Sequence, residues 1–225
     1  MNDLATIIRQ AVFFFIPFLI SLSIHEAGHA YVANKLGDPT ARMLGRITLN
    51  PFKHADFWGT FLFPLMGIVF PGAGVLFGWG KPVPINGRNL KNPKRDYLWI
   101  ALAGPLANII LAILSAIIFH AFIYFFANTL LNPHDGIKIL EPSFAMINTM
   151  INLNVALAIF NLLPIPPLDG SRILAGILPD HYAAKVYAFE QMGFFLIILF
   201  VFTGFSRFML IPISFVIDLL KTGIA

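Results

Sequence analysis

Residues 13–35 read FFFIPFLISLSIHEAGHAYVANK, and the fold turns on how this stretch is read. The first half carries no charge and is rich in Phe, Ile and Leu. The second half places His25, Glu26 and His29 on the same continuous run. Residues four apart lie on one face of a helix, so His25 and His29 can reach a single metal ion together. Glu26 then stands beside them, placed to touch a water on that ion, as in the H-E-x-x-H pattern. Zinc suits the site, because its catalytic centres accept imidazole and carboxylate and keep one position open to water. The competing reading is a pair of core histidines with a salt-bridged glutamate. In an aqueous helix that reading has weight. In a membrane helix Glu and His are costly and mark function.

Composition widens the same conclusion. Of the 225 residues 58% are hydrophobic in type and 12% are charged, and Phe alone accounts for 24. That charged share is about half the usual one. A soluble core cannot hide so much apolar surface, so lipid is the expected solvent for much of it. With no cysteine in the chain, disulfides and thiolate ligands are excluded, and a metal site must use His, Asp or Glu. The net charge is +4. Basic residues in such a chain report topology before they report nucleic acid, and no aromatic-basic nucleic-acid motif is present. The N-terminal apolar run lacks a small-residue cleavage site and continues into the histidines, which is unlike a removable signal peptide.

Outward from the opening stretch, apolar segments occupy 7–34, 57–79, 97–127, 144–168, 188–204 and 207–220. The reading is an all-α polytopic membrane protein of five to six hydrophobic segments, forming one domain over 1–225. The first, third and fourth segments are long enough to span, since roughly 20 helical residues suffice. The second holds Pro64, Gly67, Pro71, Gly72, Gly74 and Gly78, a density that breaks helices. Basic residues flank it on both sides: Lys35, Arg42, Arg46 and Lys53 before, Lys81, Arg88, Lys91, Lys94 and Arg95 after. Positive-inside logic puts both flanks in the cytoplasm, which one straight span cannot do, so 57–79 is expected to be re-entrant. The same logic makes the 128–143 loop external and the 170–187 stretch internal. It places the active site toward the cytoplasmic side of the cell membrane.

Two short strands are expected against the membrane. The stretch 41–49, ARMLGRITL, alternates between Met43, Gly45, Ile47 and Leu49 on one side and Arg42, Leu44, Arg46 and Thr48 on the other. The stretch 81–86, KPVPIN, is held extended by Pro82 and Pro84.

A third ligand must come from elsewhere in the chain. Asp169, in NLLPIPPLDGSRIL, follows three prolines that interrupt an apolar helix. Freed backbone and a carboxylate at membrane depth are tolerated where they line a polar cavity. Spacing alone leaves an equal alternative, in which Asp169 caps a short helix and pairs with Arg172.

HEAGH, GWGKPVPIN, AGPLAN and NLLPIPPLDG, in that order, resemble the site-2 protease family of intramembrane zinc metalloproteases. The resemblance spans about residues 20 to 175, and PPLDG far downstream of HEAGH is its most discriminating part. It implies one zinc ion held by His25, His29 and Asp169, with Glu26 as general base. It also implies that Asn161 helps to bind the substrate carbonyl or its oxyanion, and that Asn108 lies near the site. The sequence departs from larger members in showing no inserted PDZ domain. The implied partner is a transmembrane protein substrate within the bilayer. Asn148, Asn152 and Asn154 read as interhelical hydrogen-bonding residues. His120 reads as structural, and His54, His134 and His181 as loop residues without a catalytic role. A metal transporter and a catalytically silent membrane scaffold are the alternatives. A transporter needs ligands strung along a path, often with an internal repeat, and the sequence shows one cluster and no repeat.

Overall fold

The computed structural model describes residues 3–70, 78–129 and 133–222. Helix α1 runs from Leu4 to Lys35. Asp3 caps its start by accepting from the Thr6 amide, and Lys35 places a cation at its C-terminal end, where the helix dipole favours one. At 1.5 Å per residue α1 is about 48 Å long, enough to cross a bilayer and project beyond it. After the short helix α2 (Thr40–Met43), a π-helical turn over Phe57–Leu62 leads into α3 (Phe63–Val69). Two long helices follow, α4 (Pro93–Thr129) and α5 (Pro133–Asn161). Four shorter ones follow among the described residues: α6 (Asp169–Ile177), α7 (Asp180–Ala188), α8 (Gly193–Phe202) and α9 (Leu210–Thr222).

Among the described residues three helices are long and apolar enough to cross a membrane: Leu4–Lys35, Pro93–Phe125 and Glu141–Asn161. Their exposure pattern is inverted relative to a water-soluble bundle. On α1, Leu4, Ile8, Val12, Ile16 and Ile20 recur every fourth residue and are all exposed. Ser21, Ser23, His25, Glu26 and His29 of the same helix are buried. Helix α4 exposes Leu106, Ile109, Ile110, Ile113, Leu114, Ile117 and Ile118, while Asn108 and Ser115 are buried. Such an apolar exterior has no low-energy solvent but hydrocarbon. Helices α1, α4 and α5 pack on one another, and α6 packs on α4. A core of Ala112, Ala116, Ile151 and Val155 joins α4 to α5, with Ile213, Val216 and Ile217 of α9 against it.

The expected strands are not formed: among the described residues there is no strand ladder, only an isolated antiparallel bridge between Ala55 and Gly80. The alternation in 41–49 is broken at its centre. Its first residues form the last turn of α2, and Gly45 takes a left-handed φ of 66°, a conformation glycine adopts without steric cost. Arg46 is thereby turned inward rather than alternating outward, and it is 5% exposed. Residues 81–86 form neither helix nor strand, and Pro82 and Pro84 have no N–H to donate to a ladder. Arg46 instead occupies the carbonyls of Lys81 and Pro82.

Several boundaries also move. The segment expected over 144–168 ends as helix at Asn161, before Pro164. Part of the stretch expected as a loop over 128–143 is helical, since α5 begins at Pro133 and carries His134. His181 sits on α7. Residues 71–77 of the segment expected to re-enter lie outside the described residues. Its two described ends meet: the Trp79 amide donates to Gly59 O at 3.1 Å, and Thr60 Oγ1 donates to Trp79 O at 2.8 Å.

Candidate metal centre

Three ligand atoms converge where α1, α4 and α6 meet. His25 Nε2 and His29 Nε2 are 3.0 Å apart. Asp169 Oδ2 lies 3.2 Å from the first and 3.3 Å from the second. Helix periodicity supplies the histidine pair. The connection after Asn161 delivers the carboxylate, at Asp169, the first residue of α6. Arg172, the alternative partner for Asp169, pairs instead with Glu190 at 3.3 Å.

The donor set fits a zinc ion. With bonds of about 2.0–2.2 Å, neighbouring ligands of a tetrahedral zinc stand about 3.3 Å apart, and the three observed edges approximate one face of that tetrahedron. Asp169 Oδ2 is buried and has no hydrogen-bond partner among the described residues, an arrangement that is costly unless a cation is held there. Both imidazoles already have their other nitrogen engaged. His25 Nδ1 faces Asn108 Oδ1 at 2.5 Å, and His29 Nδ1 faces the Ile100 carbonyl at 2.6 Å. Each Nδ1 donates to an acceptor, so each Nε2 lone pair points at Asp169, as metal-binding histidines require.

Room for the two rings comes from a residue that pattern reading passed over. A β carbon at Gly104 of α4 would lie 2.5 Å from His29 Cε1 and 2.6 Å from His25 Cε1. The rings therefore pack on bare backbone. The available sequence signal was an isolated glycine within the helical run of AGPLAN, a residue that costs helix stability unless close packing needs it.

The ligand atoms border a cavity of about 360 Å³. Glu26, 8% exposed, is on its wall, as is Asn161. Asn161 Nδ2 donates to Leu157 O at 2.9 Å within its own helix. Gly80, Pro82, Val83 and Ile85 of the stretch after Trp79 also line it. Asn108 is elsewhere, fully buried behind His25. His120 contacts the carbonyls of Ala116 and Lys221, and His54 contacts that of Thr48. Neither is among the residues lining the cavity.

The chain resembles known proteins over most of its length. The family described as Peptidase family M50 matches residues 13–138 and 133–202, which is most of the chain. The chain belongs to peptidase family M50. The resemblance to site-2 proteases read from its motifs therefore holds, and the chain is a peptidase by descent. It is 37% identical over 201 residues to "Putative zinc metalloprotease YwhC" of Bacillus subtilis, covering 88% of this chain and 83% of that protein. It is 29% identical over 195 residues to Rip2 of Mycolicibacterium smegmatis, covering 83% of this chain and 65% of the relative. It is 27% identical over 180 residues to "Zinc metalloprotease MJ0392" of Methanocaldococcus jannaschii, covering 79% of this chain and 38% of that protein. No solved structure matches the chain.

Proposed function

We propose that this M50 member is an integral membrane zinc metalloendopeptidase of one domain, hydrolysing peptide bonds in or near transmembrane segments of membrane proteins. The observation that carries the proposal is the convergence of His25, His29 and Asp169 on one side of a cavity walled by Glu26, between helices whose outer faces are apolar. The three converging residues would hold one zinc ion. When bound, zinc supplies a Lewis acid that polarises a peptide carbonyl and acidifies water. Glu26 takes the water's proton and later delivers it to the leaving amine. Asn161 turns its amide from Leu157 O toward the substrate carbonyl and donates to the developing oxyanion, a contact worth about 3–4 kcal/mol where measured in other enzymes.

A substrate helix must be unwound before attack, because its peptide groups are engaged in i to i−4 bonding. The cavity wall over 80–85 offers backbone groups to receive an unwound stretch. The meeting of Gly59 with Trp79 supports a re-entrant path for the segment between them. With basic residues on both of its flanks, it favours a cytoplasm-facing site in the cell membrane. The test compares membrane-protein fragments released by wild type and by Glu26→Gln, using mass spectrometry. New fragments confined to the wild type support the proposal, whereas identical fragment sets defeat it.

A further inference from the structure

Behind His25, away from the cavity, lies a chain of buried polar groups that crosses three helices. Asn108 of α4 meets His25 Nδ1 through Oδ1. Its amide nitrogen donates to Asn154 Oδ1 at 2.7 Å and to the Ser21 carbonyl at 3.3 Å. Asn154 of α5 donates in turn to Ser21 Oγ at 2.8 Å and to the Met150 carbonyl at 2.8 Å. Ser21, Asn108 and Asn154 are all 0% exposed. No water is needed to complete the network.

The direction of every bond in it is dictated by groups that have only one role. A backbone carbonyl accepts and never donates. Met150 O therefore requires the amide nitrogen of Asn154 on its side, and Oδ1 must face Asn108. Asn154 Oδ1 and Ser21 O then both require the amide nitrogen of Asn108, which turns Asn108 Oδ1 toward His25. An oxygen acceptor there requires a proton on His25 Nδ1 and leaves the lone pair on Nε2, the atom facing Asp169. The alternative tautomer would set two acceptors against each other at Nδ1 in a low-dielectric interior, where an unmade bond is most costly, whereas a cation bound between Nε2 and Asp169 relieves the corresponding opposition on the other side of the ring.

We infer that Asn154, acting through Asn108, is a positioning residue that selects the metal-binding tautomer of His25. Asn108 relays the orientation and Ser21 supplies acceptors to both amides. The inference rests on the zinc reading above, because a cation between His25 Nε2 and Asp169 Oδ2, which lie 3.2 Å apart, is what makes a bare Nε2 favourable there. Asn154→Leu removes the selecting acceptor at similar volume and leaves Asn108 only its longer bond to the Ser21 carbonyl.

The test has two arms. Nitrogen NMR of metal-free protein labelled with ¹⁵N-histidine reads the His25 tautomer, with His25→Ala assigning the signals. Chelator competition reads zinc affinity for wild type, Asn108→Leu, Asn154→Leu and the double variant. Wild-type His25 is expected to carry a proton on Nδ1 throughout, and Asn154→Leu to show a fraction of molecules with Nδ1 bare. Zinc affinity is expected to fall about tenfold or more in each single variant, the usual scale for groups that orient a ligand. The double variant should be no weaker than Asn108→Leu, because one residue acts through the other. A bare Nδ1 in wild type overturns the inference, as does wild-type affinity in Asn154→Leu or losses that multiply in the double variant. Should Asn154→Leu fail to fold, the wild-type tautomer decides. A wild type that carries the proton on Nδ1 yet binds no zinc defeats the zinc reading, and the proton position in Asn154→Leu then decides the selection by itself.

Discussion

Gly104 of α4 lies directly against the imidazole of His29, so close that a β carbon there would fall inside contact distance of the rings of both His29 and His25. Helix α4 thus contributes to the centre by what it lacks. Gly104→Ala should gain about 1 kcal/mol of intrinsic helix stability and still displace both rings. Metal analysis after chelator challenge should show zinc retention reduced more than about 100-fold, beyond what outer-shell changes produce. Retention equal to wild type would mean that the rings have another way to pack.

Asp169→Asn keeps the shape of the proposed third ligand and removes its charge. His25→Ala and His29→Ala remove the proposed imidazole ligands outright. Each should weaken zinc binding by more than about 100-fold, above the outer-shell range. Isothermal titration in detergent checks this, with circular dichroism verifying that helix content is kept.

Arg46 holds the cavity wall in place by donating to the carbonyls of Lys81 and Pro82. A lysine presents a point charge rather than a planar fork and cannot reproduce both contacts. Arg46→Lys is expected to raise KM for a membrane substrate about tenfold, the equivalent of one hydrogen bond from a charged group. Zinc content should stay at the wild-type level. Kinetics with reconstituted substrate separate the two effects.

Asp38 ties the end of α1 to the connection before α4. It accepts from the Thr40 amide and hydroxyl, the Asn86 amide and the Asn89 side chain. Burial pushes its carboxyl up, but the hydrogen bonds from Thr40, Asn89 and Asn86 outweigh burial and hold it below the usual carboxylate range. Because the folded pKa is depressed, the stabilisation is present above the unfolded value of about 3.9 and is lost as pH falls through the folded value. Asp38→Asn should destabilise the protein by about 1–3 kcal/mol at pH 7. It should also lose less stability than wild type on acidification below pH 4, as followed by thermal unfolding.

What could be read without coordinates follows a physical division. The HEAGH pair was legible because helical periodicity is local. Asp169 stood out because a carboxylate after Pro164, Pro166 and Pro167 is unusual in an apolar run. Its meeting with the histidines depends on how α6 packs on α4, which no local pattern encodes. Alternation in 41–49 misled because Gly45 reverses the backbone at its centre. Asn154 looked like any interhelical asparagine. Its connection to His25 exists only through Asn108, on a helix distant in sequence from both.

The central claim is that Asp169 and the two histidines grip the same ion. The chain has no cysteine, so sulphur can serve as an unambiguous label. X-ray absorption of zinc-loaded Asp169→Cys should show one sulphur neighbour at about 2.3 Å, and wild type only nitrogen and oxygen at about 2.0–2.2 Å. Zinc bound by the cysteine variant with no sulphur in its coordination shell would contradict the account.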